Sequence, residues 1–417
     1  MVPPAKYLTI LSLIIAGEMI FSLPFHIARY FRPTLLEVFS LSNSDLGDVF
    51  AVYGITAMLA YFPGGIIADQ FSARKLITLS LFATAAGGLY MAQQPGITGL
   101  TALFGYWGIT SILLFWAPLI RATRDWGGVL SQGKAFGLLD GGRGFVAAIF
   151  ASLGVIIFTW LLPETVSTLD DLQRNRGMQH VIYYYSLMTA MSGVLTWYVI
   201  PETSKPSLEL ESPMKKVKDT SRHIAIWLLA AVVVCAYCGY KGLDNYGLYA
   251  VEVLGMSEIE SARFTSMAAY IRPIAAIAAG IIADRITSSK LISICFIALI
   301  ISYFALSIVG PGNISNMVIY LNLVVTFVAV FAIRGVYFAL IEEFGFPETG
   351  TGTAVGIISV VGFTPDIFFA PMAGRILDAS PGIQGHQHYF LMLTAIAVCG
   401  MVTAAGLIRT KNRTARH

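Results

Sequence analysis

Twelve stretches of this 417-residue chain are apolar for long enough to cross the hydrocarbon of a lipid bilayer. A helix rises about 1.5 Å per residue, so a crossing takes about 20 consecutive apolar residues. Such runs fall near 7–30, 46–68, 76–94, 100–122, 135–162 and 179–200. A second set falls near 222–248, 260–283, 290–310, 315–341, 352–376 and 388–408. Lipid offers no hydrogen-bond partner to the backbone, and a helix satisfies its own N–H and C=O groups. The runs therefore predict an all-α membrane protein with twelve transmembrane helices. Only 12% of the residues are charged, against roughly 25% in a soluble domain. A large water-soluble enzyme is excluded on that ground. Only Lys6 precedes the first run and no small-residue cleavage site follows it, so it reads as a retained span.

The two sets of six are related. Gly65-Ile-Ile-Ala-Asp69 recurs as Gly280-Ile-Ile-Ala-Asp284, each at the end of an apolar run and each followed by a short basic turn. Gly133 and Gly137 at the start of the fifth run are matched by Gly352 and Gly356 at the start of the eleventh. A duplicated six-span unit is the usual architecture of carriers that open alternately to each side of a bilayer. The expected organisation is a six-helix bundle over 1–200, a linker over 201–221, a second bundle over 222–408 and a tail over 409–417. The linker is polar and proline-punctuated, with no apolar period. Lysine and arginine concentrate in alternate loops, among them Arg74, Lys75, Arg121, Arg124, Lys215, Lys216, Arg285 and Lys290. The positive-inside rule then places both termini in the cytoplasm. Glu342, Glu343 and Glu348 make one loop on that side acidic.

The loop after the second run resembles the signature G-x-x-x-D-[RK]-x-G-x-[RK]-[RK] of the major facilitator superfamily. Gly65, Asp69, Arg74 and Lys75 match; Gln70 replaces the first basic residue and Ser72 the glycine. The second copy keeps Gly280, Asp284, Arg285 and Lys290, with Thr287 at the glycine position. The resemblance covers essentially the whole chain. It implies two pseudo-symmetric six-helix bundles in the major facilitator fold. It also implies a gating role for these residues: the aspartate accepts backbone N–H groups at the start of a neighbouring helix and pairs with a basic residue. That contact would hold the outward-facing state and break for inward opening.

Charges inside the runs are the candidate site. A charged side chain at mid-bilayer costs about 2.5–3.5 kcal/mol on insertion scales, so its retention points to function. Glu18 lies in the middle of the first run with no cationic neighbour in sequence. Desolvation favours the neutral form of a carboxyl group, which suits proton uptake and release. It is the first candidate for proton coupling; a structural pair with Arg143 is the alternative. Asp140 and Arg143, three residues apart on one helix face, form a candidate ion pair, and Arg143 is a candidate for binding an anion. Lys241, Asp244 and Asn245 sit in a glycine-interrupted stretch with Tyr237, Tyr240 and Tyr246. Such a stretch is expected to be kinked where backbone lines a cavity. Arg272 precedes Pro273, Arg334 lies in the tenth run and Asp366 follows Pro365. The simplest pairs are Arg272 or Arg334 with Asp366, the second proton-coupling candidate. The planar guanidinium suits carboxylate or phosphate, which favours an anionic substrate. The segment His26 to Arg32 reads as an outward extension of the first helix, either an anion funnel or an interfacial anchor.

Other chemistry fits poorly. Gly128-Val-Leu-Ser-Gln-Gly133-Lys134-Ala135 nearly matches a phosphate-binding loop, but Ala135 lacks the hydroxyl that holds magnesium and no strand precedes it. Cys235 and Cys238 lie inside an apolar run and read as packing. His386 and His388 are too few for a metal site. The expected protein is therefore no enzyme and needs no cofactor beyond a proton gradient. It is a monomeric secondary transporter of a bacterial inner membrane, with no nucleic-acid partner. Its partners are lipid, protons and a small polar, anionic organic solute, such as a sugar acid, a carboxylate, a phosphate ester or a carboxylate siderophore. Proton-coupled uptake is the favoured direction; proton-antiport efflux of a metabolite or drug is the alternative.

Overall fold

The computed structural model describes residues 4–128, 132–160, 169–202, 221–310, 315–344 and 351–414. Most of the expected linker, residues 129–131 of the near-phosphate loop, Glu348 and the last three residues of the tail lie outside these. Among the described residues every regular element is helical. Besides the short helices Arg32–Val38 and Ala339–Glu343, in chain order they are α1 (Lys6–Met19, resuming after a bend as Ser22–Tyr30), α2 (Asn43–Gln70), α3 (Ala73–Met91), α4 (Ile97–Gly127), α5 (Gln132–Thr159), α6 (Asp171–Val199), α7 (Ile224–Glu252), α8 (Glu258–Ile286), α9 (Ser288–Ile308), α10 (Asn316–Val336), α11 (Val355–Ala379) and α12 (Ile383–Thr414). Each expected run lies on one of these helices. Nine of the described helices are long and apolar enough to cross a membrane, ten if the two pieces of α1 count as one span. The two others, α3 and α6, hold the third and sixth expected positions. The protein is a multi-pass membrane protein of all-α architecture.

Local chemistry sets several helix starts. Ser42 with Asp45, Asp170 with Gln173 and Ser257 with Glu260 each form a reciprocal capping box, which satisfies N–H groups that have no partner within the helix. Large apolar side chains such as Leu59, Phe62, Ile277 and Ile301 remain exposed along the spans, as lipid-facing residues must.

The chain divides into two compact units. The first comprises Met1–Ser207, Asp244–Tyr270 and Ala370–Gly374; the second comprises Leu208–Leu243, Ile271–Phe369 and Arg375–His417. The core of the first brings Leu13, Met19, Ile77, Phe115, Leu119 and Leu139 together from α1, α3, α4 and α5. In the second, α9 packs on α10 and α12 and buries Phe296, Leu323 and Phe390. The chain leaves the second unit inside a 3-10 turn, Leu243–Asn245, that interrupts α7. It returns at a break in α8, between the helical pieces Glu258–Ala268 and Ile271–Ile286. The kink expected in α7 is this turn.

The two signature loops differ in backbone. Ser72 is extended, with φ −62° and ψ 131°. Thr287, at the matching position, has φ 79° and ψ 146°, a region essentially reserved for glycine. A β-branched residue held there costs on the order of 1–3 kcal/mol. Thr287→Gly should raise the melting temperature in detergent, whereas Ser72→Gly should lower it slightly.

Candidate functional site

In the first unit the site is built on a broken helix. Pro24 has no N–H to give to the carbonyl four residues back, so the ladder of α1 fails there. A π turn at Ser22–His26 and a 43° bend result. The Met19 carbonyl at the break accepts from Ser22 Oγ at 2.7 Å and from Thr189 Oγ1 of α6 at 3.1 Å. The bend folds His26 back toward Glu18. Glu18, 3% exposed, has one carboxylate oxygen 3.1 Å from His26 Nε2 and accepts from Arg143 Nε with the other at 3.0 Å. Arg143 also lies 5.5 Å from the ring centre of Phe21 and 5.9 Å from that of Trp116, in reach of cation–π attraction. Close helix approach makes this possible. A Cβ on Gly17 would lie 3.2 Å from Arg143 Cδ, and one on Gly142 only 2.7 Å from Ile14 Cδ1.

The Glu18–Arg143 contact is the pair that the sequence offered as the alternative reading, and the bend adds His26 as a further partner. The segment from His26 to Arg32 is no exposed funnel. His26 and Arg32 are buried, and Arg29 Nε donates to Asp244 Oδ1 at 2.5 Å. Asp140 lies half-buried one turn before Arg143.

A second set of ties within this unit involves Glu258, at the start of α8. It accepts from Arg174 Nε at 2.7 Å and from Thr34 Oγ1 at 2.5 Å. Arg174 and Glu258 both lie outside the apolar runs, so neither is among the candidates by sequence. Asn245 is buried in the 3-10 turn.

In the second unit the candidates converge around Asp366. The helix is interrupted before Pro365, and Asp366 sits in the first turn of Pro365–Ala379, where the helix dipole favours a carboxylate. Tyr237 Oη donates to its two oxygens at 3.0 and 3.1 Å, and Lys241 Nζ lies 3.3 Å away. Tyr237, Tyr240 and Lys241 share a helix face because they are three and four residues apart. The Tyr240 ring stacks on Tyr237 at 5.8 Å, and the Arg334 guanidinium lies 3.8 Å from the Tyr240 ring centre. Tyr237 and Lys241 thus contact the carboxylate, and Tyr240 and Arg334 stack behind Tyr237. Lys241 is a close cation of that carboxylate. Arg272 is buried at the start of the second piece of α8.

Of the signature residues, Gly65 and Gly280 lie in the last turns of their helices, and Asp69, Lys75, Asp284, Arg285 and Lys290 are exposed. Arg74 and Lys75 converge on Glu202, just beyond α6, at 2.5 and 3.1 Å. The hydrogen bond from Lys75 and the charge of Arg74 hold the Glu202 carboxyl below its usual 4.5. A carboxylate with a lowered folded-state pKa stabilises the fold above its ordinary value, and that contribution fades as pH falls through the folded-state value. Glu202→Gln should therefore flatten the acid limb of the melting-temperature profile. In the second unit Glu343 caps the start of α9, accepting from Ser289 N at 2.9 Å and Ser289 Oγ at 2.6 Å. That contact accounts for one of the acidic residues on the basic side.

The family model described as Major Facilitator Superfamily matches residues 11–370. The inner membrane protein YihN of Escherichia coli K12 is 28% identical over 98% of this chain and 97% of its own length. The "Probable nitrate transporter NarT" of Staphylococcus haemolyticus is 21% identical over 90% of this chain and 91% of its own. A crystal structure of a bacterial homologue of the human lysosomal transporter Spinster, inward-facing and unoccupied, superposes with a TM-score of 0.76. It is 15% identical and covers 99% of this chain and 98% of that one.

Proposed function

Since the chain belongs to the major facilitator superfamily and is a membrane transporter rather than an enzyme, we propose that it takes up a small polar organic anion by alternating access, driven by protons. The observation that carries this reading is the cluster of Lys241, Arg334, Tyr237 and Tyr240 around Asp366. Two cations and two hydroxyl donors in an apolar span suit a carboxylate or phosphate ester better than a cation or a neutral lipid-like drug. Arg272 is a further buried donor of the second unit, and Arg143 and Asn245 are buried donors of the first. The relative named as a nitrate transporter supports an anion as cargo. Proton movement is linked to the solute through the sites of Glu18 in the first unit and Asp366 in the second, and the two signature loops with their basic residues gate the inner side. The membrane is the bacterial inner membrane, with both termini cytoplasmic.

The test is a thermal-shift screen of the purified protein against a metabolite library at two pH values. A ligand at 100 times its Kd stabilises by about 2.7 kcal/mol. Small organic anions should raise the melting temperature, more so at the lower pH, and Arg334→Ala should abolish the shift. If only neutral or cationic compounds stabilise the protein, the anionic reading is wrong.

A further inference from the structure

We infer that His26 is the seat of the proton in the first unit, with Glu18 and Arg143 as the fixed charged pair that controls it. The inference rests on the proton-coupled reading above and names the group that carries the charge change. Glu18 offers one oxygen to Arg143 Nε at 3.0 Å and the other to His26 Nε2 at 3.1 Å. A carboxylate that faces a guanidinium, which does not deprotonate in proteins, is held ionised by it. The group in this contact whose unperturbed charge change falls between pH 5 and 8 is the imidazole. Its surroundings bear this out. From its own span it faces Glu18 and, edge to face at 5.5 Å, Tyr30. From α6 it meets Tyr185 at 6.0 Å, whose neighbour is Tyr184. From α5 come Arg143, through Glu18, and Asp140 one turn earlier. Glu18 and Arg143 are the charged groups tied into the contact with the ring.

The arrangement also supplies a coupling rule. Protonation of His26 adds one positive charge beside the Glu18–Arg143 pair. That added charge favours an anion nearby, and loss of the proton releases it. The π turn and the bend hold the two side chains in contact, so straightening α1 would separate them and change the proton affinity of the ring. Proton binding and the shape of α1 are thereby linked.

Histidine-selective carbon-13 labelling in nanodiscs, read by NMR across about pH 5 to 9, tests this without a ligand. Six histidines are present, and His26→Gln identifies the resonance. The expected result is a titration within that range whose midpoint moves by at least about half a pH unit in Glu18→Gln. A His26 resonance that does not titrate, or one indifferent to Glu18→Gln, overturns the inference. His26→Asn gives a second assignment should the glutamine variant misfold. Failure here is separable from failure of the transport reading. In proteoliposomes of wild-type protein, gluconate accumulation driven by a pH gradient alongside a silent His26 removes only this inference. A titrating, Glu18-linked His26 in a protein that the ligand screen shows to bind only neutral or cationic compounds upholds this proton site and removes the anionic reading.

Discussion

Glu18→Ala lowers the unfolding free energy by about 3–5 kcal/mol, because it leaves the Arg143 guanidinium buried without its carboxylate. The pair lies in the core of the first unit: Glu18 is 3% and Arg143 7% exposed, and both sit among apolar side chains of α1, α4 and α5. Replacing both members together, as in Glu18→Leu with Arg143→Met, should restore most of the loss, since a buried ion pair is often no better than a well-packed apolar one. Equilibrium denaturation in detergent reads both changes. A single variant within about 1 kcal/mol of wild type would show that this pair does not support the fold. The isosteric Glu18→Gln keeps the volume and one hydrogen-bond acceptor, so it is the variant for transport measurements. It should depress pH-driven accumulation more than ligand binding.

Asp366→Asn reduces pH-gradient-driven accumulation by at least about tenfold, the factor that corresponds to 1.4 kcal/mol. An amide cannot take up and release a proton, and it no longer neutralises Lys241 at 3.3 Å. Tyr237→Phe removes one donor to that carboxylate and should cost about 1.5–3 kcal/mol, the range for a hydrogen bond to a charged group. Accumulation in proteoliposomes, compared with the ligand-induced thermal shift, separates loss of coupling from loss of binding. Normal accumulation by Asp366→Asn would remove Asp366 from the coupling mechanism.

The twelve helices are legible in sequence because lipid imposes a length and an apolar content that few other environments demand. Charges within the runs are visible for the same reason, and Glu18, Arg143, Lys241, Arg272 and Asp366 stand out at once. Beyond the Glu18–Arg143 pair, their partners do not. Glu18 and His26 are eight residues apart, about 12 Å along a straight helix, and only the break at Pro24 brings them into contact. Arg143 reaches Glu18 across 125 residues through an approach that Gly17 and Gly142 permit. Lys241 finds Asp366 through a helix interrupted at Pro365. Pro24 and Pro365 are the readable signals in these cases; they announce a break but not which side chains it delivers. The signature loops carry a different lesson. Motif matching points to Asp69, whereas the basic residues close on Glu202, which lies beyond the motif.

The interruption of α7 at Leu243–Asn245 bears on the design of hybrid transporters. Asp244 and Glu258 belong to the second repeat by sequence, yet their guanidinium partners Arg29 and Arg174 belong to the first. A chimera spliced only near residue 201 would set those two arginines against foreign side chains. Grafting residues 1–207 together with Asp244–Tyr270, with joints inside the 3-10 turn and at the break in α8, keeps each carboxylate with its original arginine.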